Sequence, residues 1–357
     1  MPGGALAQSA DEIVVQARKR AESLQSIPVS GSVIGGQDIQ DFGGITDNLK
    51  IAEYLTGVSV DQDGNPEFFI RGAGVGRVPT TDAATTQFRN GAETAGGFGG
   101  RAFTRFDTFD TQQVEVYRGA QGALYGRNAV GGVINVVNQA PKDVYEYSLL
   151  GSYAFENREL RGEAIVNVPI VTDRLFARAG LIFENEEGFA ENQVTGNRVD
   201  GEDTIGGRLG LRALVNEWLD GTLFVDYGVT EVDPRWGSQF FVDSIAYGGP
   251  AAVDPDGNPL PASGPYPISG DVLKPAFDFE PTSEEILFNV NLTLNADLGF
   301  GVLRSITAWR DREFNLPGDF DNSYIGGPLL SAPCGMGGVT TNNCTDFRPS
   351  HTKILTQ

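Results

Sequence analysis

A chain of 357 residues with 40% hydrophobic composition is long enough for one large domain or two ordinary ones. Its 26 Lys+Arg against 47 Asp+Glu, a net charge of -21, exclude affinity built on neutralising phosphates, so nucleic acid is not an expected partner. With 47 Gly, 22 Phe and 10 Tyr against 2 Met and 1 His, the balance favours β-structure, tight turns and aromatic girdles over a helical enzyme.

In chain order, Ala5, Leu6, Ala7 and Gln8 resemble the small-residue end of a secretory signal, so Met1 is not expected to be the biological start. Residues 1–25 form an arm that is polar except for Ile13, Val14 and Val15, and it is expected to be mobile with one short extended patch. Between residues 26 and 140, short apolar runs at 29–34, 58–60, 68–70, 114–116 and 133–137 alternate with Gly, and residues 47–55 look helical. That pattern predicts a small α/β domain. Residues 72–100 are rich in Gly, Thr and Ala without periodicity, which predicts long loops. Within them Arg77, Gln87, Phe88, Arg89 and Phe98 supply the cationic and aromatic groups expected to touch a solute. The run at 114–138, VEVYRGAQGALYGRNAVGGVINVVN, joins strand-forming valines to Gly119, Gly122, Gly126, Gly131 and Gly132, which serve tight turns and close backbone approach.

After Pro141 the pattern changes to repeated segments of about ten residues with period-two alternation, as transmembrane barrel strands require. Tyr145, Tyr147, Leu149, Tyr153 and Phe155 share one face, suited to lipid, and Glu146, Ser148, Ser152 and Glu156 share the other, suited to water. The alternation returns at 160–168, 175–183, 205–215, 219–229 and 286–294, with Arg161, Glu163, Asn167, Arg178, Glu184, Arg208, Arg212, Asp220, Asp226, Asn289 and Asn291 inward; residues 303–309 make a weaker seventh segment with mixed faces. The connections 171–173, 216–218 and 296–299 are tight, whereas 185–203, 233–283 and 311–350 are long and rich in Gly, Pro, Asn and Asp. This matches short periplasmic turns and longer extracellular loops and favours a barrel over a soluble β-sandwich, because structureless loops of such length are uncommon in compact soluble domains.

The only cysteines, Cys334 and Cys344, lie in a Gly/Asn/Thr-rich stretch where a loop closes easily. A local disulfide implies an oxidising compartment; two free loop thiols are the other reading. His351, the single histidine, leaves little scope for metal or triad chemistry, and neither GxSxG, HExxH, GxxxxGK[ST] nor a strand-GxGxxG-helix context occurs. Residues 61–65 and 254–258 lack the full calcium-loop pattern and read as turns. No enzyme, cofactor or metal is expected.

Three stretches resemble the TonB-dependent outer-membrane receptors. Asp11, Glu12, Ile13, Val14 and Val15 look like the family's TonB box. Residues 48–60, NLKIAEYLTGVSV, with Phe69, Ile70, Arg71 and Gly72, are similar to the early helix and IRG strand of its plug. The run at 114–138 follows the family pattern VEVxRGPxxxLYGxxAxGGxIN through Glu115, Arg118, Gly119, Leu124, Tyr125, Gly126, Gly131, Gly132 and Asn135, departing at Ala120; Thr56 likewise stands where Pro often does. The resemblance implies a mainly β fold: a small α/β plug domain (26–140) followed by the first antiparallel strands of a transmembrane β-barrel (141–357), incomplete, in the outer membrane of a Gram-negative bacterium. It implies that the box adds as a strand to TonB, driven by an inner-membrane energising complex. Arg71, Glu115 and Arg118 would hold the plug in the lumen, and lipid would surround the wall. The solute implied is a ferric siderophore or other iron complex, with cobalamin, haem and oligosaccharide as alternatives. About seven complete strands stand against roughly 22 in plugged transporters, so a truncated, inert fragment is one rival reading and a passive porin-like channel the other.

Overall fold

The computed structural model describes residues 14–15, 22–23, 30–42, 50–61, 67–74, 84–94, 108–126, 128–192, 195–233, 241–243, 265–267, 280, 282–315, 318–319, 343–344 and 350–356. The amino-terminal unit contains β1 (Ser30–Gly35), α1 (Gly36–Phe42), a 3-10 turn (Lys50–Tyr54), β2 (Val58–Asp61), β3 (Glu67–Ile70), β4 (Thr85–Arg89), β5 (Ala92–Glu93), β6 (Thr111–Arg118), α2 (Gly122–Tyr125) and β7 (Gly132–Asn138). Five strands form one sheet in the order β1-β6-β7-β4-β5, with β4 parallel to β7 and the other pairs antiparallel, while β2 and β3 form a separate ladder. The valines and isoleucines of β6 and β7 are buried on both faces of this sheet, so the run 133–137 is continuously apolar apart from Asn135. Ile34, Ile51, Leu55, Val58, Phe68, Ile70, Val114, Val116, Ile134 and Val136 fill the core between the sheet, the 3-10 turn and the β2–β3 ladder. Gly132 must be glycine: its φ is 155° and a Cβ there would stand 2.4 Å from the Tyr117 carbonyl oxygen.

Two expectations change here. The stretch 72–100 is not uniformly loop, because β4 and β5 lie inside it. All five residues of β4 are buried, so both faces see the same environment and no alternation appears in TTQFR. Its polar groups are met inside: Thr85 Oγ1 donates to the Phe68 carbonyl at 2.6 Å, and Thr86 Oγ1 donates to Glu93 Oε1 at 3.2 Å. Of the helical-looking stretch 47–55, residues 47–49 lie outside the described residues and Lys50–Tyr54 form a 3-10 turn. In the arm, Val14–Val15 pairs antiparallel with Glu22–Ser23, which is the short extended patch, and Val15 is fully buried.

The second unit is an antiparallel meander of eight strands in sequence order: β8 (Glu146–Ala154), β9 (Glu159–Val171), β10 (Leu175–Glu186), β11 (Glu202–Asn216), β12 (Leu219–Val232), β13 (Ser283–Asp297), β14 (Val302–Asn315) and β15 (Ser350–Thr356). Tyr147, Leu149 and Phe155 are 88%, 85% and 87% exposed on the outer face, whereas Arg161, Asn167, Arg178, Arg208, Asp226, Asn289 and Asn291 are buried on the inner one. Outside, Phe288 meets Trp309 edge to face with ring centroids 5.5 Å apart. The mixed faces of the seventh segment resolve into a full strand, β14, whose Ala308, Arg310 and Arg312 are buried. Each strand alternates because its two faces meet opposite surroundings.

Candidate functional site: the junction between plug and wall

The buried arginines Arg178, Arg208 and Arg310 of the wall each grip the plug. At the first, Asp110 adopts a left-handed φ of 50°, aiming its carboxylate outward from the plug immediately before β6. Arg178 of β10 holds that carboxylate with Nε at 2.9 and 2.8 Å and Nη2 at 2.6 Å, and also reaches Glu146 Oε2 at 3.2 Å. The Asp110 and Arg178 side chains are 4% and 5% exposed. Burial pushes the Asp110 carboxyl above its usual range, against the pull of the Arg178 guanidinium. Beside it, Phe109 packs on Gly180 of the wall so closely that a Cβ on Gly180 would fall 2.6 Å from its ring.

At the second place Arg208 of β11 donates to the Phe109 carbonyl at 2.8 Å, lies 4.7 Å over the Phe109 ring centroid, and donates through Nε to Asp226 of β12 at 2.6 Å. Asp226 also meets Arg89 of the plug at 3.3 Å and accepts a hydrogen bond from Asn289 of β13 at 2.9 Å. Arg89 is further held by Asn138 at 3.2 Å. At the third place Arg310 of β14 donates to the carbonyls of Thr94 and Glu93, the latter at 2.8 Å. Removing one member of such a buried pair strands the other charge, which costs about 3–5 kcal/mol.

Beneath these grips lies the motif at 114–138. Glu115 is fully buried and accepts hydrogen bonds from Gln113 Nε2 (2.6 Å), Tyr117 Oη (2.8 Å) and Asn135 Nδ2 (2.9 Å). Asn135 in turn accepts the Gly91 N–H at 3.2 Å. Glu115, expected to hold the plug in the lumen, is thus a mid-strand residue of the plug's own core, although its charge is also felt by Arg304 of the wall. Tyr125 meets Phe88 edge to face at 4.9 Å, and burial pushes its hydroxyl well above the usual range. Gly119 and Gly126 turn the chain with φ of 87° and 81°, Gly131 sits against Ala73, and Leu124 stays half-exposed. Val15 packs into the cluster made by Phe88, Tyr117, Tyr125, Ala129 and Val133. The motif and Val15, the second valine of the proposed box, therefore share one core.

Other sequence expectations are corrected. Among the described residues Arg71 and Arg118 find their partners within the plug and not on the wall: Arg71 bonds Ser30 Oγ at 2.9 Å, and Arg118 bonds Ser32 Oγ at 2.8 Å and the Thr56 carbonyl at 2.9 Å. Arg71 lies at the turn that Gly72 shapes with φ of 77°, and burial plus the neighbouring Arg71 lowers the Arg118 pKa. Gln87, Phe88 and Arg89 are β4 residues, each at most 3% exposed, so they do not present themselves to a solute in this conformation. Arg77, Phe98, Asp11, Glu12, Ile13 and Cys334 lie outside the described residues, as does the side chain of Cys344. Sequence reading missed Asp110 altogether; only its place just ahead of the first strand of the motif marks it. Among the described residues no group of three or more His, Cys, Asp or Glu is arranged to hold a metal. A cavity of about 190 Å³ separates α1 and residues 108–111 from β8 and β9, lined by Gln40, Thr108, Asp110, Ser152, Arg161 and Glu163.

Residues 23–133 match the family model of the TonB-dependent Receptor Plug Domain. The pesticin receptor of Yersinia pestis is 27% identical over 198 residues, which are 55% of this chain and 28% of that protein. The vitamin B12 transporter BtuB of Vibrio vulnificus (strain CMCP6) is 28% identical over 191 residues, 51% of this chain and 29% of that protein. The solved ferric yersiniabactin uptake receptor FyuA from Yersinia pestis shares the fold with a TM-score of 0.59 at 20% identity, over 81% of this chain and 42% of that one. The chain spans less than a third of the length of these curated relatives.

Proposed function

We propose that this chain, which carries the plug domain of the TonB-dependent receptors ahead of the opening strands of a β-barrel, serves energy-coupled uptake of a scarce iron chelate, a ferric siderophore, across a Gram-negative outer membrane. In this reading residues 26–140 are the gate and 141–357 begin its wall. The observation that carries it is the burial of Val15 in one apolar cluster with Phe88, Tyr117 and Tyr125 of the plug. Successive residues of a strand point to opposite faces, so Phe88 faces the cluster that holds Val15 while Arg89 reaches Asp226 of the wall. A pull that strips Val14–Val15 from Glu22–Ser23 uncovers Phe88 and Tyr125, and loosens β4 where it grips the wall.

The partner is TonB with its inner-membrane energising complex. It would take the strand 11–15 by edge addition, with main-chain hydrogen bonds giving affinity and alternate side chains giving register. The iron-chelate assignment leans on FyuA and on the sequence motif; BtuB, whose name states vitamin B12, marks the other solute class. Uptake of iron-loaded chelates by cells carrying the full-length receptor should stop when the proton gradient is collapsed, with surface binding unchanged. Uptake that continues unabated would favour a passive channel.

A further inference from the structure

At the end of the wall that carries the long connections, glutamates of three neighbouring strands stand in one row. Glu186 of β10 pairs directly across from Glu202 of β11. Glu159 of β9 lies one residue before Leu160, the partner of Asn185, and a single amide, Asn157 Nδ2, bridges Glu159 Oε2 at 3.1 Å and Glu186 Oε1 at 2.7 Å. Two residues further down β10, Glu184 is 3% exposed and pairs with Arg161 through Oε2, while its Oε1 is buried without a hydrogen-bond partner. Like charges placed directly opposite on adjacent strands repel. The neighbouring cations are Arg161, shared with Glu163, and Lys50 of the plug's 3-10 turn, 4.0 Å from Glu186. Counting Glu163, five carboxylates thus stand beside Arg161 and Lys50 among the described residues, and Lys50 is delivered by the plug.

We propose that this row is a binding subsite for a positively charged organic group, an ammonium or guanidinium carried by the solute, which competes with Lys50 for the glutamates. The carboxylates are spread over three strands, and among the described residues none form a cluster arranged for a bare metal ion, so the row fits a dispersed organic cation. The sequence of the long connections works in the same direction: residues 187–201, 233–282 and 316–349 together carry 13 Asp+Glu against 4 Lys+Arg. A negative, partly desolvated wall raises the local concentration of cations and repels anions. The inference rests on the uptake reading for its solute, but the potential is measurable without one.

Two arms test it in the full-length receptor in outer-membrane vesicles. In the first, Thr204→Cys, on β11 opposite Glu184, is introduced with Cys334 and Cys344 changed to Ser, and modified by a cationic and an anionic methanethiosulfonate of equal size. The cationic reagent should react at least about tenfold faster, and that ratio should fall several-fold in the Glu186→Gln/Glu202→Gln background, while Lys50→Gln should raise it. Equal rates, an anionic preference, or a ratio indifferent to these substitutions would overturn the subsite. In the second arm, a ferric tris-hydroxamate with a free ammonium is compared with its acetylated neutral and succinylated anionic forms. Affinity should fall in that order, and the spread should collapse in the double glutamine variant and at high salt. Equal affinity of the three overturns the proposal. No binding by any of them, with the first arm positive, supports a cation subsite and rules out hydroxamate chelates as its solute.

Discussion

The plug sheet and the wall sheet are both mainly antiparallel and rich in valine, yet they write themselves into sequence differently. A wall strand separates two media, so Leu149 at 85% exposure and Arg161 at 6% belong to neighbouring strands of one continuous pattern. A plug strand is covered on both sides, and β4, TTQFR, is buried throughout. The lesson is that alternation reports a difference between the faces of a sheet, not the sheet itself. The junction between the two units follows from this: the wall contributes charged groups that alternate into its lumen, and the plug meets them with Asp110, Arg89 and backbone carbonyls.

The largest effect expected of any single change lies at that junction. Asp110→Ala leaves Arg178 buried without its main partner and should weaken seating of the plug by about 3–5 kcal/mol, read as a lower denaturant midpoint for loss of plug structure; Asp110→Asn, which keeps one acceptor, should cost less. An unchanged midpoint for Asp110→Ala would show that the plug is held elsewhere. Next comes the lipid face, where Leu149→Arg should cost about 2–4 kcal/mol if the residue lies near the bilayer midplane, measured by refolding into lipid vesicles; a neutral result would place Leu149 away from hydrocarbon. A smaller effect, about 1–3 kcal/mol of overpacking, is expected for Gly180→Val, which must displace Phe109. Gly151→Ala, with nothing within 4 Å of its added carbon, is the matched control and should be silent. Equal responses at the two glycines would erase the distinction between gripped and ungripped wall.

The strands of the wall were legible because Tyr147, Leu149, Arg161, Asn167, Arg178, Arg208 and Asp226 sit on the faces that period-two alternation assigns them. The plug was legible only through its motif, since Gly132, Glu115 and Asn135 are fixed by close packing and buried hydrogen bonds rather than by periodicity. What escaped was pairing at a distance: Asp110 and Arg178 are separated by 68 positions, and nothing local to either announces the other. The same blindness misplaced Arg71 and Arg118, whose partners Ser30, Ser32 and Thr56 come together only when β1, β6 and the turn at Gly72 meet.

The central claim is that a strand at Val14–Val15, docked on the plug's core, transmits the force that opens it. Val14→Pro removes a backbone donor from that strand while leaving the plug and wall sequences untouched. In cells carrying the full-length receptor, binding of an iron-loaded chelate should match the unmodified protein while energy-dependent uptake is lost. Undiminished uptake in the Val14→Pro variant would contradict the account.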